Sequence, residues 1–559
     1  MMDNAAIADN FSLLSRLMDI HGENPFKTKT YSIAAFHIEN LPAPLKDTPR
    51  ETLPRLKGMG ESVLAKVLEM LDTGRLSILD EYIRNTPAGV LEMLNIKGIG
   101  PKKIHTIWKE MEIESIGELL YACNENRLTL FKGFGAKTQQ NVQEAIEFYL
   151  QNQGSFLFAQ VDEIFPQIEA YLQKMFPGKV FVTGAYRRQE NTLDELEFVI
   201  AGENEQVKPK FQTAQPPELL EETPDSLFYK LKNGLKLRLY TGTEKPALRL
   251  LNTTGPAAFT AAFSSRFPSV INGEGTEEQL LFTSNKLAYI PPYLRDDVSV
   301  IEKALTGSLP DVIQPGDIKG IIHSHSNWSD GASTIEEMAE ECIRQGLEYL
   351  VISDHSKTAV YAKGLNEERI KEQHRYIDEL SQKLAPFRIF KSIESDILTD
   401  GSLDYTNDVL ASFDLVIASV HSTLKMTEER AMERLTKAIT NPYTTILGHM
   451  TGRLLLSRKG YPLDHHKIID LCAQNQVVIE INAHPRRLDM DWSWIPYALS
   501  KNVMLSVNPD AHNPEGFNDV KYGVLSAQKG GLVKTANLSS FPLADFEAFI
   551  LQRKKDKGI

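Results

Sequence analysis

The sequence has few cysteines, no long apolar segment and no excess of positive charge. Its three cysteines, Cys123, Cys342 and Cys472, lie far apart and without CxxC spacing. This excludes a disulfide framework and a thiolate zinc site, and it fits a reducing compartment. No apolar run reaches the roughly 18 residues that span a bilayer, and the N-terminus lacks a basic start followed by an apolar block. We therefore expect a cytoplasmic protein without a membrane partner.

The charge balance limits how the chain could bind nucleic acid. The formal net charge is −13 over 559 residues, and residues 1–150 contain 17 Lys and Arg against 20 Asp and Glu. This excludes a protein that coats nucleic acid by bulk electrostatics, so any DNA contact must be local. Hydrophobic residues make up 42% and charged residues 24%, which is ordinary globular usage, and the length suggests three or four domains.

Hydrophobic periodicity divides the chain into regions. Residues 1–150 show helical spacings broken by Gly-containing turns, which predicts an all-helical segment. From Val180, short β-branched runs that end at glycine predict a small sheet domain containing a polar loop at 208–225. From Gly320, seven strand-like runs alternate with helical stretches, which predicts a mostly parallel, barrel-like α/β domain. The predicted divisions are 1–85, 86–150, 151–245, 246–306, a Pro- and Gly-rich linker at 307–318, and 319–559.

Imidazole and carboxylate side chains follow the predicted barrel strands, where such barrels carry their chemistry. In strand order they are His323, His325 and Asp330; His355; Glu394 and Asp396; His421; His449; Glu480; and Asp510 and His512. These groups are ligands for Zn²⁺, Mn²⁺ or Fe²⁺, and the HxH spacing places two imidazoles on one face of a strand. A single histidine here would be an ordinary core or surface residue. Six of the 13 histidines lie near strand ends, however, which predicts a metal centre.

Three turns in the N-terminal region repeat one pattern, Lys-Gly-apolar-Gly, at 57–60, 97–100 and 132–135. Glycine lets the backbone pass close to an anion, and the helix predicted after each turn offers free N–H groups to it. The repetition predicts helix-hairpin-helix motifs that bind DNA phosphates without sequence preference. The predicted DNA-binding residues are Gly58, Gly60, Gly98, Gly100, Gly133 and Gly135.

From about Gly320 to Arg553 the chain resembles the polymerase and histidinol phosphatase (PHP) domain. The motifs HSHSNWSDG, SDHS, SIESDILTDGSLDY, SVHS, GHMTGR, EINAHPRRLD and PDAH occur in that family's order. The resemblance implies a distorted seven-stranded barrel that hydrolyses phosphoesters with three divalent metals, Mn²⁺ or Zn²⁺, with Fe²⁺ as an alternative. It implies a first metal on His323, His325, Glu394 and Asp510, a second on His355, His421 and the bridging Glu394, and a third on Asp330, His449 and His512.

The same resemblance gives Glu394, Asp510 and His512 a direct part in hydrolysis. Three clustered cations would polarise a phosphoryl group, activate water and neutralise the leaving oxygen. Arg453, Arg486 and Arg487 lie on loops beside these ligands. They are candidates to bind phosphate oxygens, and surface salt bridges are the alternative interpretation.

Nearly the whole chain resembles the bacterial family X DNA polymerases that are fused to a PHP domain. Residues 24–42 are similar to the start of that family's gap-binding domain, and residues 276–297 are similar to its junction. The resemblance makes 86–150 fingers-like, 151–245 palm-like and 246–306 thumb-like. It aligns Lys66 with the Schiff-base lysine by which some relatives remove 5′-deoxyribose phosphate, although a solvated helix lysine is the alternative.

The nucleotidyl-transfer site that this family implies is altered. The family has a Gly-Ser turn with two arginines, then an Asp pair and a third Asp that together hold two metals. Here Ala185 replaces the serine, Glu195 and Glu197 replace the Asp pair, and Lys236 or Leu237 replaces the third Asp. Arg187 and Arg188 remain as candidates for phosphate binding. We expect a polymerase-like domain that has kept its fold and lost its activity.

These observations predict a multidomain protein: an all-helical helix-hairpin-helix region, an α+β nucleotidyltransferase-like palm, and a C-terminal distorted (β/α)7 barrel. The leading hypothesis is a DNA-binding, metal-dependent phosphoesterase, either a 3′-5′ exonuclease or a 3′-end processing enzyme of DNA repair. The alternatives are an active gap-filling polymerase with an accessory nuclease, a small-molecule phosphatase, and a non-catalytic DNA-gap scaffold. The sequence leaves the oligomeric state open, with a monomer as the default.

Overall fold

The computed structural model describes residues 2–41, 43–124, 128–151, 154–211, 216–242, 246–268, 277–456 and 459–559. The chain forms two compact units, Met1–Gln153 and Gly154–Ile559. The finer predicted divisions stay predictions. Among the described residues, none of the helices has both the length and the apolar character needed to cross a bilayer.

The first unit is built from helices, as its sequence period predicts. Asp3 caps the first helix by accepting a hydrogen bond from the Ala6 N–H, and Phe11 and Leu14 of that helix are fully buried. The helices are Asn4–Ile20, Pro25–Glu39, Glu61–Thr73, Ser77–Arg84, Ala88–Met93, Pro101–His105, Ile116–Asn124 and Ala136–Gln151, with a π turn at Thr106–Glu110.

The palm-like region of the second unit is a five-stranded sheet. Its strands in spatial order are Val180–Thr183, Glu195–Ile200, Lys236–Tyr240, Ser226–Lys230 and Glu218–Thr223. Only the pair Glu195–Ile200 and Lys236–Tyr240 is parallel. The polar loop predicted at 208–225 is wrong in part, because Glu218–Thr223 is a strand. Glu218–Thr223 lies at the edge of the sheet, and most of its side chains are exposed. Its polar sequence therefore did not indicate that it pairs as a strand.

Helices flank this sheet and continue toward the barrel. They are Phe158–Met175, Gly184–Arg187, Asn204–Val207, Pro246–Thr254, Ala257–Arg266, Glu278–Thr283 and Val300–Thr306. The segment predicted as a linker packs against the barrel: Val312 pairs with Val533, and Ile313 is fully buried in the barrel core. Its apolar residues account for this docking.

The barrel domain has seven parallel strands, which confirms the predicted fold class. They are Gly320–Ile321, Tyr349–Ile352, Arg388–Asp396, Leu415–Ser419, Thr444–Leu447, Val478–Asn482 and Leu505–Asn508, each paired with the next along the chain. Among the described residues, the first and last strands are the two ends of the sheet, and the segments that follow them meet at a bridge between Ser324 and Ala511. The surrounding helices are Ile335–Arg344, Glu367–Lys383, Asn407–Leu410, Glu428–Ile439, His465–Gln474, Ile495–Ser500, Val520–Lys529 and Leu543–Lys557.

Candidate metal centre and palm site

The buried carboxylate of Glu394, on the third barrel strand, is the centre of the predicted metal site. Five imidazoles point at its two oxygens. Oε1 lies 3.2 Å from His323 Nε2, 3.1 Å from His421 Nε2 and 3.0 Å from His449 Nε2, and Oε2 lies 3.1 Å from His355 Nδ1 and 3.5 Å from His325 Nε2. Because the strands are parallel, their carboxyl ends bring these side chains to one rim of the barrel.

Asp510, which follows the last strand, completes the cluster around the HxH pair. Its Oδ1 lies 3.1 Å from His325 Nε2 and 3.4 Å from His323 Nε2. Ligand atoms of these three residues all lie within 4.8 Å of one another. The structure thus brings together the first predicted ligand set, with Glu394 beside it.

Asp330 and His512 form the open side of the site. Asp330 Oδ2 lies 3.5 Å from His512 Nε2 and 3.6 Å from His355 Nε2, and the side chains of Asp330 and His512 are 31% and 42% exposed. His323 and His325 are fully buried. A substrate would therefore reach the cluster from the side of Asp330 and His512.

The structure brings together some of the predicted groups of ligands and not others. The set His355, Glu394 and His421 is present, but Asp330 and His512 meet His325 and His355 rather than His449. His449 lies at Glu394 instead, with its ring 5.3 Å from that of His421. The predicted set of Asp330, His449 and His512 is therefore not gathered into one cluster. Parallel strands bring all their ends to one rim, and the sequence does not show which neighbours meet.

The donor set fits divalent cations. Two buried atoms that face the cluster, His323 Nε2 and Glu394 Oε2, have no hydrogen-bond partner of good geometry among the described residues. Buried polar atoms normally have partners, so this cluster of exceptions points to a missing ligand. The separations of 3.0 to 3.6 Å around Glu394 and Asp330 also suit ligands of one cation, which stand about 3.3 Å apart in a tetrahedral zinc site.

Electrostatics within the cluster are strongly coupled. Burial, followed by the charge of His355, lowers the pKa of His325 to about 3. Burial also lowers the pKa of His323, but Glu480, Asp510 and Glu394 outweigh it and hold that pKa well above the usual value. Despite burial, His421, His323 and His355 keep the pKa of Glu394 well below its usual range. Glu394 is therefore an anion, as a bridging ligand must be.

Two carboxylates orient the histidines, and the sequence indicated them only as polar residues near strand ends. His323 Nδ1 donates to Glu480 Oε2 at 2.6 Å, and His421 Nδ1 donates to Asp396 Oδ1 at 2.5 Å. Each carboxylate can only accept here, so each ring keeps Nε2 for a cation. Glu480 also accepts hydrogen bonds from the His449 N–H and the Asn508 side chain. A general rule could have identified these two carboxylates from the sequence: metal-binding histidines normally donate their second N–H to a carboxylate.

Of the barrel arginines predicted to bind phosphate, Arg487 borders the cluster, with its Nε 3.6 Å from Asp510 Oδ2. Arg453 is held by the protein itself: its NH1 lies 2.7 Å from Asp491 Oδ2, and its Nε donates to the Arg487 carbonyl at 3.0 Å. Arg486 is exposed. Arg487 is thus the arginine best placed to meet a phosphate oxygen.

The palm site has an internal cation in place of the third carboxylate. Arg238 donates to both oxygens of Glu195, at 2.9 and 3.1 Å. The parallel register pairs Glu195 with Lys236 and Glu197 with Arg238, so Arg238 shares a face with both glutamates. Of the two predicted substitutes, Leu237 faces the other side of the sheet, whereas Lys236 shares the face of Arg238 and the glutamates. Arg238 is the residue that forms the ion pair with Glu195.

Glu197 is fixed by other contacts. It accepts hydrogen bonds from the Ala185 N–H at 3.0 Å and from the Tyr240 hydroxyl at 3.1 Å. Its carboxylate lies so close to Gly184 that a Cβ there would stand 1.5 Å from Oε2. Burial raises the pKa of Glu197, which disfavours the charged form that a metal needs.

The two palm arginines are also occupied by protein groups. Arg187 donates to Glu278 Oε2 and to the Thr254 hydroxyl, both at 2.8 Å. Arg188 donates to the Thr254 carbonyl at 2.7 Å and lies 3.2 Å from Asp296. In this structure neither guanidinium is free to receive a phosphate.

The three hairpin turns of the first unit share one backbone geometry. The first glycines, Gly58, Gly98 and Gly133, have φ values of 85°, 88° and 92°, which other residues rarely adopt. A Cβ added at Gly60, Gly98, Gly100, Gly133 or Gly135 would meet nothing within 4 Å. The turns therefore present open backbone at a helix start, the arrangement that suits a phosphate.

Lys66 lies on the helix that follows the first turn. Its Nζ is 3.5 Å from the Ser62 carbonyl and 5.4 Å from the centre of the Tyr31 ring. These contacts fit the solvated helix lysine as well as a nucleophile, so the lyase role stays a prediction.

Comparisons with known proteins match separate parts of the chain to known domain families. Residues 2–76 match a helix-hairpin-helix domain, residues 90–147 a SAM-like helix-hairpin-helix tandem, and residues 322–484 the PHP domain. The chain is similar to the DNA polymerase/3′-5′ exonuclease PolX of Bacillus subtilis, with 32% identity over 95% of this chain and 96% of that protein. It is also similar to probable phosphatases from Caldanaerobacter subterraneus (31% identity) and Acetivibrio thermocellus (30%), over 29% of this chain and 60% and 64% of theirs.

Proposed function

The chain belongs to the family of the bacterial DNA polymerase/3′-5′ exonuclease PolX, and from this premise we propose that it hydrolyses the 3′ ends of DNA at the barrel centre. The reaction would be a 3′-5′ exonuclease or a 3′-end processing step of DNA repair. The observation that carries the proposal is the gathering of nine metal-type side chains, Glu394 and Asp510 among them, at one rim of the barrel. We further propose three cations per chain, Mn²⁺ or Zn²⁺ with Fe²⁺ as the alternative.

Different residues of the chain have different roles in the proposed hydrolysis. Bound divalent cations supply Lewis-acid polarisation of the phosphoryl group and activation of water. Glu394 and Asp510 hold the cluster from the buried side, whereas Asp330 and His512 receive the substrate at the open side. Arg487 pairs with a phosphate oxygen and so orients the scissile bond. In this proposal Glu394, Asp510 and His512 are the residues that contact the reacting groups.

The test is an end-labelled primer annealed to a template, incubated with Mn²⁺ with and without dNTPs. With a 5′ label, the proposal predicts a ladder of shortened products that does not depend on dNTPs. A 3′ label released first as a mononucleotide fixes the polarity. Extension of the primer, or no change in either label, contradicts the proposal.

The hairpin turns would hold the DNA through its backbone, without sequence preference. Gly60 and Gly100 have ordinary φ values of −61° and −79°, and a side chain there meets no protein atom. Gly60→Val or Gly100→Val should therefore weaken DNA binding and leave the fold intact. The control is Gly117→Val, which also has open space but lies in the helix Ile116–Asn124, outside the turns. Equal DNA affinity in all variants would make the turns structural caps only.

We propose that the palm-like region does not transfer nucleotides, because Arg238 neutralises Glu195 where a third carboxylate should stand. The competing hypothesis, an active gap-filling polymerase, follows from the name of the Bacillus relative. A nuclease-inactive variant, His323→Ala with His325→Ala, separates the two because degradation can no longer hide synthesis. Extension by that variant which disappears with Glu195→Ala and Glu197→Ala would contradict the proposal.

A second candidate function, a small-molecule phosphatase, is favoured by the relatives that match the barrel region and are named probable phosphatases. It predicts that Gly60→Val and Gly100→Val leave turnover of every substrate unchanged. The exonuclease predicts that the same variants lose turnover of DNA and keep turnover of a small phosphodiester. The cytoplasmic location and the monomeric state stay predictions.

A further inference from the structure

The helix Val520–Lys529 connects the barrel's metal ligands to the palm-like region. It begins shortly after Asp510 and His512, and one of its faces lies on the palm-like region rather than in solvent. Tyr522 and Leu525 pack on the palm core, and Lys521 pairs with Asp162.

The last residue of this helix, Lys529, is buried in an ion network. Its side chain is 0% exposed. Its Nζ lies 2.5 Å from Asp296 Oδ2 and 3.2 Å from Glu190 Oε1, and it donates to the Arg188 carbonyl at 2.9 Å. Arg188 itself lies 3.2 Å from Asp296. Two cations and two anions thus compensate one another, and the palm arginine that was predicted to bind phosphate serves this contact.

The same helix packs tightly on the strands that lead to Arg487 and Asp510. A Cβ at Gly523 would stand 2.5 Å from Ala483 Cβ and 2.6 Å from Val507 Cγ1. Ala483 begins the loop that carries Arg487, and Val507 lies on the strand that leads to Asp510. A shift of the helix would therefore move both.

The palm-like region also touches the Arg487 loop directly. A small cavity between them is lined by palm residues Gln189 to Asn191 and by Pro485, Leu488 and Tyr522 of the barrel domain. The Arg487 side chain lies 3.6 Å from Asp510. The palm turn thus packs against the base of the loop whose arginine faces the metal ligands.

We propose that the palm-like region is a positioning scaffold for the Arg487 loop, with Lys529 as the positioning residue that fastens the two regions. This would give a role to a domain whose nucleotidyl-transfer carboxylates are altered. The inference rests on the proposed phosphodiesterase activity of the barrel. It assigns no contact between Lys529 and the substrate.

The test compares Lys529→Met with Lys521→Met in the full-length protein. The probe is bis(p-nitrophenyl) phosphate with Mn²⁺, which needs no DNA-binding domain. Lys529→Met should lower kcat about 10-fold to 100-fold at unchanged metal content, because a displacement of about 1 Å in a positioning group has effects of this size. Lys521→Met should have little effect, because its pair with Asp162 is half-exposed at the rim.

A double-mutant cycle with Arg487→Gln tests the route. If Lys529 acts through Arg487, Lys529→Met should have almost no further effect on kcat in the Arg487→Gln background. Additive losses, or an unchanged kcat in Lys529→Met, overturn the inference. If Lys529→Met does not fold, Glu190→Gln replaces it, because this variant removes one anion of the network at constant size.

Hydrogen exchange of residues 484–488 provides a second test, which does not depend on activity. Faster exchange in Lys529→Met than in Lys521→Met supports the scaffold, and equal exchange overturns it. A wild-type protein that hydrolyses no phosphodiester would contradict the proposed function alone, and the exchange measurement would still distinguish a scaffold from a passive neighbour.

Discussion

The barrel centre and the palm site both carry carboxylates on β-strands, Glu394 in the barrel and Glu195 and Glu197 in the palm-like sheet, but the charges that balance them differ. Glu394 is surrounded by imidazoles, whose neutral form is a metal ligand. Glu195 is paired with the guanidinium of Arg238, which cannot be deprotonated in a protein. The comparison shows that the identity of the counter-charge, more than the number of carboxylates, decides whether a site can exchange it for a metal.

The strongest way to break the comparison is to remove the imidazoles. His323→Ala with His325→Ala should reduce hydrolysis by about 100-fold or more, because two ligands and the contact with Glu394 are lost. DNA binding should persist, since the hairpin turns lie in a separate compact unit. The measurements are phosphodiester turnover, metal content and DNA affinity. Full turnover at reduced metal content would show that the centre lies elsewhere.

A subtler change tests the orientation of a ligand. Glu480→Gln keeps the size of the side chain but turns a strong acceptor for His323 Nδ1 into a weaker one. The affinity for the metal should fall about 10-fold to 100-fold, the usual effect of losing such a partner. Titration with Mn²⁺ measures it, with Glu341→Gln as the control because Glu341 pairs with Arg344 on an outer helix. Equal affinities would make Glu480 a packing residue.

Metal binding at the barrel centre should also depend on pH. Although burial lowers it, Glu394 and Asp396 raise the pKa of His421 to about 10, and the hydrogen bond with Asp330 raises the pKa of His512 to about 9. In the metal-free protein both rings are protonated at neutral pH and must release a proton to bind a cation. Apparent metal affinity should therefore rise with pH, by up to about tenfold per unit for each proton released. Calorimetry in buffers of different ionisation enthalpy counts the protons, and a flat profile would contradict the assignment.

The smallest expected effect is a gain at the palm site. Arg238→Asp replaces the internal cation with a third carboxylate on the same face as Glu195 and Glu197. In the His323→Ala, His325→Ala background this variant should bind one additional, weakly held Mn²⁺. Electron paramagnetic resonance of free Mn²⁺ measures the stoichiometry, and Arg249→Asp is the control because its pair with Asp225 lies outside the site. No additional ion would show that more than Arg238 prevents binding.

The sequence predicts the barrel ligands well because their chemistry is local. His323 and His325 closely follow the first strand, and Glu394 and Asp510 stand in or after apolar runs that are recognisable without partners. The grouping of His449 was beyond the sequence, since it depends on which strand ends meet in space. Arg238 was missed for a different reason: Lys236 and Arg238 lie two residues apart on one face of the sheet, so side-chain contacts decide which of them meets Glu195. The partners of Arg187 and Arg453, Glu278 and Asp491, are distant along the chain, so no local pattern indicates them.

The junction between the first and last barrel strands has a consequence for the whole domain. The segments that follow them meet at the bridge between Ser324 and Ala511, and His323, His325, Asp510 and His512 stand on its two sides. His323 and Asp510 also adopt left-handed backbone, with φ values of 65° and 55°, which is costly for side chains other than glycine. A cation bound by these residues would link the first and last strands of the barrel. Chelation of the metal should then destabilise the barrel at this junction. Loss of the metal would thus remove a stabilising link of the fold as well as the catalytic group.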